Sequence, residues 1–142
     1  MACARDILTS KSPDLHDLKP ENTVLEALEL MASKNIGAIV VLSEGSLAGI
    51  FTERLYARDV FLKGRASPDT SLGDVMVTNV ITATPDTSVE ECMAIMNKKC
   101  IRHLPILWEG SVVGMISIGD LMNRIIQDRE FDIEQLVDYI GG

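Results

Sequence analysis

One stretch of this chain returns 65 residues later with no gap, and that duplication limits its possible folds more than any single residue does. Pro20, Val24 and Glu26 recur as Pro85, Val89 and Glu91, and Met31, Lys34, Ile36 and Leu42 as Met96, Lys99, Ile101 and Leu107. Glu44-Gly45-Ser46 and Gly49 likewise return as Glu109-Gly110-Ser111 and Gly114. Similarity at a fixed period implies two copies of one small supersecondary unit. Two such units packed face to face leave a pair of related clefts between them, and clefts of that kind are where small ligands bind.

The pattern inside each copy is explicit. Thr23-x-x-Glu26 and Ser88-x-x-Glu91 are capping boxes just ahead of apolar-periodic runs, predicting helices over 24–34 and 89–99. Ala38 to Leu42 and His103 to Leu107 are short apolar runs, each followed by Glu-Gly-Ser and a second run, Leu47 to Phe51 or Val112 to Ile116. Runs joined by a Gly-containing turn predict hairpins. Their near-continuous apolarity predicts strands covered on both faces. A second helix is expected from Thr52 and from Ser117, and a short strand at Val80-Ile81-Thr82 leads into the second copy. The fold class expected is therefore α/β (α+β), two β-α-β-β-α units.

The stretch from Lys63 to Asp74, with Gly64, Pro68 and Gly73, marks the connection. The organisation expected is an N-terminal segment 1–19, repeat one over 20–66, a linker 67–79, repeat two over 80–127 and a helical tail 128–142. Ile125, Ile126, Phe131, Ile133, Leu136, Val137 and Ile140 are spaced as on an amphipathic helix, or two short ones. That apolar face needs the body of the protein or a second chain against it.

Composition narrows the function. With 142 residues, 46% of them hydrophobic, the chain can fill one compact core. A formal charge of −8 argues against nucleic-acid binding, which needs a basic surface. No run reaches the roughly 18 apolar residues of a membrane helix. Met1 to Ser10 lacks the apolar centre of a signal peptide. Cys3, Cys92 and Cys100 are odd in number and form no C-x-x-C pair, which fits a reducing compartment, the cytoplasm.

Gly114-Met115-Ile116-Ser117-Ile118-Gly119-Asp120 places a hydroxyl and a carboxylate three residues apart at a helix start. Both can hydrogen-bond a sugar diol, beside backbone N–H groups that favour an anion. Ser-x-x-Asp is equally a capping box that needs no ligand. In repeat one the matching residues are Thr52 and Leu55, so the hydroxyl survives and the carboxylate is lost. The two clefts are then chemically unequal. Arg54, Arg58 and Arg102 suit phosphate through paired N–H groups, or are simply solvated charges. Gly37-Ala38 and Arg102-His103 occupy matching places before the first hairpin strands, where small side chains let a planar base approach. Gly37 as a helix C-cap is the alternative.

No catalytic machinery is visible. Cys100 and His103 lack a third member of a triad, and two histidines are too few for a typical zinc site, so no catalytic residue and no metal are expected. Neither a Walker motif nor Gly-x-Gly-x-x-Gly occurs.

With these residues laid out, the chain resembles a tandem pair of cystathionine-β-synthase (CBS) domains, a Bateman module, over about Arg5 to Ile126. The resemblance rests on the twofold helix-strand-strand-helix pattern, on Ile101-Arg102-His103-Leu104-Pro105-Ile106, and on the Gly-x-x-Ser-x-x-Asp stretch ending at Asp120. It implies two repeats related by pseudo-twofold symmetry and a regulatory, non-enzymatic homodimer. It further implies an adenine nucleotide (AMP, ADP, ATP or NAD) or S-adenosylmethionine between the repeats, with no catalytic cofactor. The residues it implies for the principal cleft are Gly37, Ala38, Arg102, His103, Met115, Ser117 and Asp120. Thr52, Arg54, Arg58, Thr82 and Thr84 would line the second cleft. Close look-alikes carry Asp where Leu55 stands, which puts ligand binding in that cleft in question. The downstream protein partner is not legible.

Overall fold

The computed structural model describes residues 2–11 and 15–141. The chain opens with α1 (Ala4–Ser10), and repeat one follows as β1 (Asp17–Leu18), α2 (Val24–Lys34), β2 (Ala38–Ser43), β3 (Ser46–Thr52) and α3 (Glu53–Leu55). α3 continues as a π-wound segment, Tyr56–Phe61. A 3-10 turn at Ser67–Asp69 and α4 (Leu72–Val75) lead to repeat two: α5 (Val89–Lys99), β4 (His103–Trp108), β5 (Ser111–Ser117) and α6 (Ile118–Gly141). This mixed α+β architecture, with its C-terminal helix, is the predicted one.

The capping boxes start their helices as the pattern predicts. Thr23 Oγ1 accepts the Glu26 N–H at 3.1 Å, and Ser88 Oγ accepts that of Glu91 at 3.0 Å, each satisfying a donor that the helix itself cannot. Both helices end on a left-handed residue, Asn35 (φ 54°) and Cys100 (φ 55°). In both hairpins the Glu-Gly turn has two positive φ angles, 52° and 81° at Glu44-Gly45 and 51° and 81° at Glu109-Gly110. That geometry matches the twist of the antiparallel strands it joins. The register slips at the same place in each hairpin, Val41/Leu42 and Ile106/Leu107.

The strand predicted at Val80-Ile81-Thr82 does not form. In repeat one β1 runs parallel to β2, pairing Asp17 with Val40 and Leu18 with Val41. Repeat two keeps only the second of these rungs, Ala83 with Ile106, through Ala83 N–H to Pro105 O (3.1 Å) and Leu107 N–H to Ala83 O (2.8 Å). The next rung upstream would need the N–H of residue 105, and proline has none.

The segments ahead of the repeats cross over. Ala4 and Ile7 of α1 are buried in the core of repeat two with Cys92, Met96 and Leu104. Leu72 and Val75 of α4, in the stretch that the sequence marks as connection, are buried in the core of repeat one with Val24, Phe51 and Val60. Matching backbone bonds hold both. Ala4 N–H donates to Thr87 O and Leu72 N–H to Asn22 O, both at 2.8 Å, while Arg5 N–H donates to Pro85 O and Gly73 N–H to Pro20 O, both at 2.9 Å. Burying an apolar side chain of that size contributes about 1.5–3 kcal/mol. The exchange thus ties the repeats together, and Gly49 and Gly114 make room for it. A Cβ at Gly49 would stand 2.6 Å from Met76 Sδ, and one at Gly114 2.5 Å from Leu8 Cδ2.

The tail is not a separate element. α6 is one helix of 24 residues, anchored by Leu121 and exposed from Arg129 onward. Among its exposed residues are Ile126, Phe131, Ile133, Leu136, Val137 and Ile140, so the body of the protein does not cover the apolar face.

Candidate ligand clefts

Both clefts follow one rule. Each takes the start of the first hairpin strand from one repeat and the end of the second hairpin strand from the other. Cleft one, about 430 Å³, joins Asn35 to Ala38 of repeat one to Met115, Ser117 and Asp120 of repeat two. Cleft two, about 690 Å³, joins Cys100 to His103 of repeat two to Ile50, Thr52, Glu53 and Arg54 of repeat one. Both volumes are in the range of small-molecule sites.

Of the residues predicted for the principal cleft, Gly37, Ala38, His103, Met115, Ser117 and Asp120 come together in cleft one. Arg102 does not: it is the repeat-two match of Gly37, and the crossed rule sends it to cleft two. Thr52 and Arg54 line cleft two as predicted for them, with Arg54 Nη1 reaching Cys100 O across the repeats at 3.4 Å. Thr82, Thr84 and Arg58 line neither cleft. Val80 and Ile81 line cleft two instead of Thr82. The Thr84 N–H bonds Thr87 Oγ1 at 3.0 Å in the turn before α5, and Arg58 is exposed on the π-wound segment.

Gly37 is not a helix cap, since Asn35 is the left-handed residue. A Cβ at Gly37 would stand 3.4 Å from His103 Cε1 and 3.5 Å from Glu53 Oε1. The imidazole beside it is a wall common to both clefts. Burial pushes the His103 pKa down, opposed by Asp120 and Glu53 and reinforced by Lys11 and Arg102.

Ser117 and Asp120 form the reciprocal box. Asp120 Oδ2 accepts the Ser117 N–H at 2.8 Å, and Ser117 Oγ accepts the Asp120 N–H at 3.1 Å. The same Oδ2 accepts from Lys11 Nζ at 2.7 Å, and Nζ also donates to Met115 O at 2.7 Å. Burial raises the Asp120 pKa, but the bonds from Lys11 and from Ser117 outweigh it and hold the carboxyl below its ordinary value. At the matching place Thr52 Oγ1 caps the Leu55 N–H at 3.1 Å, while the Leu55 side chain packs against the core of repeat one. Lys11 and His16, both lining cleft one, escaped sequence reasoning because they lie outside the duplicated stretch. A signal for Lys11 was available. Ala4-x-x-Ile7-Leu8 and Leu72-x-x-Val75-Met76 share a spacing, and extending the match aligns Lys11 with Asn79.

No described helix is long and apolar enough to cross a membrane. The family model for the CBS domain matches residues 4–55 and 72–127. The chain is 38% identical over 127 residues to the CBS domain-containing protein CBSX3, mitochondrial, of Arabidopsis thaliana, a match covering 86% of this chain and 62% of that protein. Its fold superposes with a TM-score of 0.86 and 39% identity on a CBS-domain protein from Burkholderia ambifaria, covering 89% of this chain and 96% of that one. It also superposes with a TM-score of 0.78 and 24% identity on the CBS domain pair of protein MJ0100, solved with 5′-methylthioadenosine and S-adenosyl-L-methionine, covering 91% and 98%. The duplicated units, their crossed helices and the two clefts between them are thus those of a CBS domain pair, and the chain belongs to the CBS-domain family.

Proposed function

We propose that this protein is a regulatory sensor, not an enzyme, that binds an adenine nucleotide (AMP, ADP, ATP or NAD) or a related adenosine compound in cleft one. The observation that carries the reading is the grouping of a hydroxyl and an ionised carboxylate, Ser117 and Asp120, opposite the small Gly37-Ala38 wall in one cavity. A sugar diol matches the first pair and a planar base the second. The adenosine ligands of the MJ0100 pair support the choice of ligand class. Titration calorimetry with AMP, ADP, ATP, NAD, adenosine and S-adenosylmethionine tests it. Binding by none of them at millimolar concentration overturns the reading.

A second reading has its own observation. The Ser117–Asp120 box is closed and Lys11 already occupies the carboxylate, as in a module that only holds chains together. Under it, Asp120→Ala costs a helix cap, about 1 kcal/mol, together with the Lys11 ion pair, and leaves ligand response untouched. Under the sensor reading it also removes the rise in melting temperature that a ligand confers by binding the folded state.

The sensor is proposed to act as a homodimer whose contact includes the exposed apolar face of α6, with output through a protein partner. Sedimentation of a chain ending at Gln127 should show a weakened dimer, and an unchanged one removes α6 from the interface. Its compartment is proposed to be the cytoplasm, against the mitochondrion in the name of CBSX3; cell fractionation separates the two.

A further inference from the structure

We infer that Lys11 is the specificity residue of cleft one: it pairs with Asp120 and selects ligands that carry a phosphate together with a ribose diol. The inference rests on the reading of cleft one as the adenosine site and names the ligand class within it.

Lys11 closes α1, and its ammonium spans two groups of repeat two, Asp120 Oδ2 and Met115 O, each at 2.7 Å. The lysine and aspartate side chains are 34% and 22% exposed, so the pair is partly screened from water. A ribose diol that bonds both carboxylate oxygens of Asp120 must share Oδ2 with the ammonium or displace it. Inside a cleft an ammonium parted from its carboxylate needs another anion, because an unpaired, partly buried charge is unfavourable. A phosphate on the same ligand supplies that anion. A neutral nucleoside leaves the ammonium without one, and a sulfonium adds repulsion.

The other basic side chains among the described residues of the cleft are the imidazoles of His16 and His103. Among its described lining residues Lys11 is the only lysine or arginine; Arg54 and Arg102 line the other cleft. Burial disfavours the protonated form of His103.

The second repeat of the pattern makes the case independently. The bonds of Ala4, Arg5 and Val89 match those of Leu72, Gly73 and Val24, which aligns Lys11 with Asn79. Asn79 lines cleft two, and Leu55, the repeat-one match of Asp120, packs against the core of repeat one. Both members of the ion pair are thus replaced by neutral residues at the matching places. A lysine that was merely a surface charge would not need to change with the aspartate.

Calorimetry on the full chain with AMP and adenosine tests this. Wild type should bind AMP about tenfold or more tightly than adenosine, the worth of one good bond between charged groups. Lys11→Met should bring the two affinities within about threefold, mainly by weakening AMP, while adenosine is unchanged or tighter because Asp120 is released. Lys11→Arg should keep the preference. Raising the salt concentration should shrink the wild-type preference without any substitution. Equal binding of both ligands by wild type, or a tenfold preference surviving in Lys11→Met, overturns the inference while leaving cleft one as the adenosine site. Wild type that binds neither ligand overturns the site and the inference with it.

Discussion

The two repeats close the edge of their second hairpin strand in different ways, one with a backbone rung and the other with a lysine side chain. In repeat one Val77 pairs with Ile50 through two backbone bonds of 3.0 Å, continuing past α4 as a rung of sheet. In repeat two the matching carbonyl, Met115 O, is taken by the Lys11 side chain. A backbone rung is local to its strand and is lost only if the segment detaches. A lysine side chain can leave one acceptor for another by rotating, at the cost of an ion pair. Cleft one is lined by the Lys11–Asp120 ion pair, whereas at the matching places cleft two has Asn79 and lacks a carboxylate, and Arg54 and Arg102 line it. Near-identical folding units therefore supply unequal chemistry.

The largest expected effect is the loss of the Asp120 carboxylate. Asp120→Leu makes cleft one resemble cleft two, and each diol hydroxyl that loses a charged acceptor forfeits about 1.5–3 kcal/mol. Two such bonds amount to a hundredfold or more in affinity. Calorimetry should show the tight site gone. A variant that still binds as wild type does would end the comparison, because the difference between the clefts would then have no bearing on ligand.

The reverse change sharpens it. Leu55→Asp should raise affinity in cleft two by about tenfold to hundredfold, turning one tight site per chain into two. Leu55 packs against the core of repeat one, so the variant should also be less stable by roughly 1–3 kcal/mol. Two equal sites already present in wild type, or no gain in the variant, would show that residue 55 does not govern ribose binding.

The glycines that admit the crossed helices give a smaller contrast, in stability alone. At Gly49 an added Cβ meets the Val77 carbonyl oxygen at 2.8 Å as well as Met76, and backbone in a sheet rung cannot move aside. At Gly114 the three nearest atoms all belong to the Leu8 side chain, which can rotate. Gly49→Ala should therefore cost about 1–3 kcal/mol in urea unfolding, and Gly114→Ala less. An equal loss at both would mean that the two crossings are alike in rigidity.

Much of the fold was legible because its determinants are local. Capping boxes set where α2 and α5 begin, and Glu-Gly pairs with positive φ set the hairpins. What failed was longer in range. Pro105 was visible, but its effect on Val80-Ile81-Thr82 depends on which neighbour its missing N–H would have faced, and that is a matter of topology. The crossing of α1 and α4 could not be read from periodicity, since an apolar stripe does not say which core it fills. That omission concealed Lys11, which α1 carries to cleft one, while Arg102 lies in cleft two because each cleft takes the start of one hairpin and the end of the other. Ser117 and Asp120, at the end of one hairpin, and Gly37 and Ala38, at the start of the other, line cleft one together.

The smallest effect expected is on pH dependence, and it comes from the one side chain that both clefts share. Burial lowers the His103 pKa; Asp120 and Glu53 partly offset this, and Lys11 and Arg102 add to it. A histidine whose folded pKa lies below its unfolded value, about 6.5, binds its proton more readily when unfolded. Its contribution to stability is therefore present above that value and is lost as pH falls through the folded pKa. Asp120 acts in the same direction at lower pH: its folded pKa lies below the ordinary value of about 3.9, so its contribution is complete above that and is lost as pH falls through the folded pKa. Melting temperature should thus decline first below about pH 6.5 and again in the acid range. His103→Gln should remove the first decline and leave the second, and Lys11→Met should soften the first, since the ammonium is one of the charges opposing protonation. A wild-type profile flat between pH 7.5 and 5, or a His103→Gln profile that still falls there, would show that the shared wall is not a titrating element of either cleft.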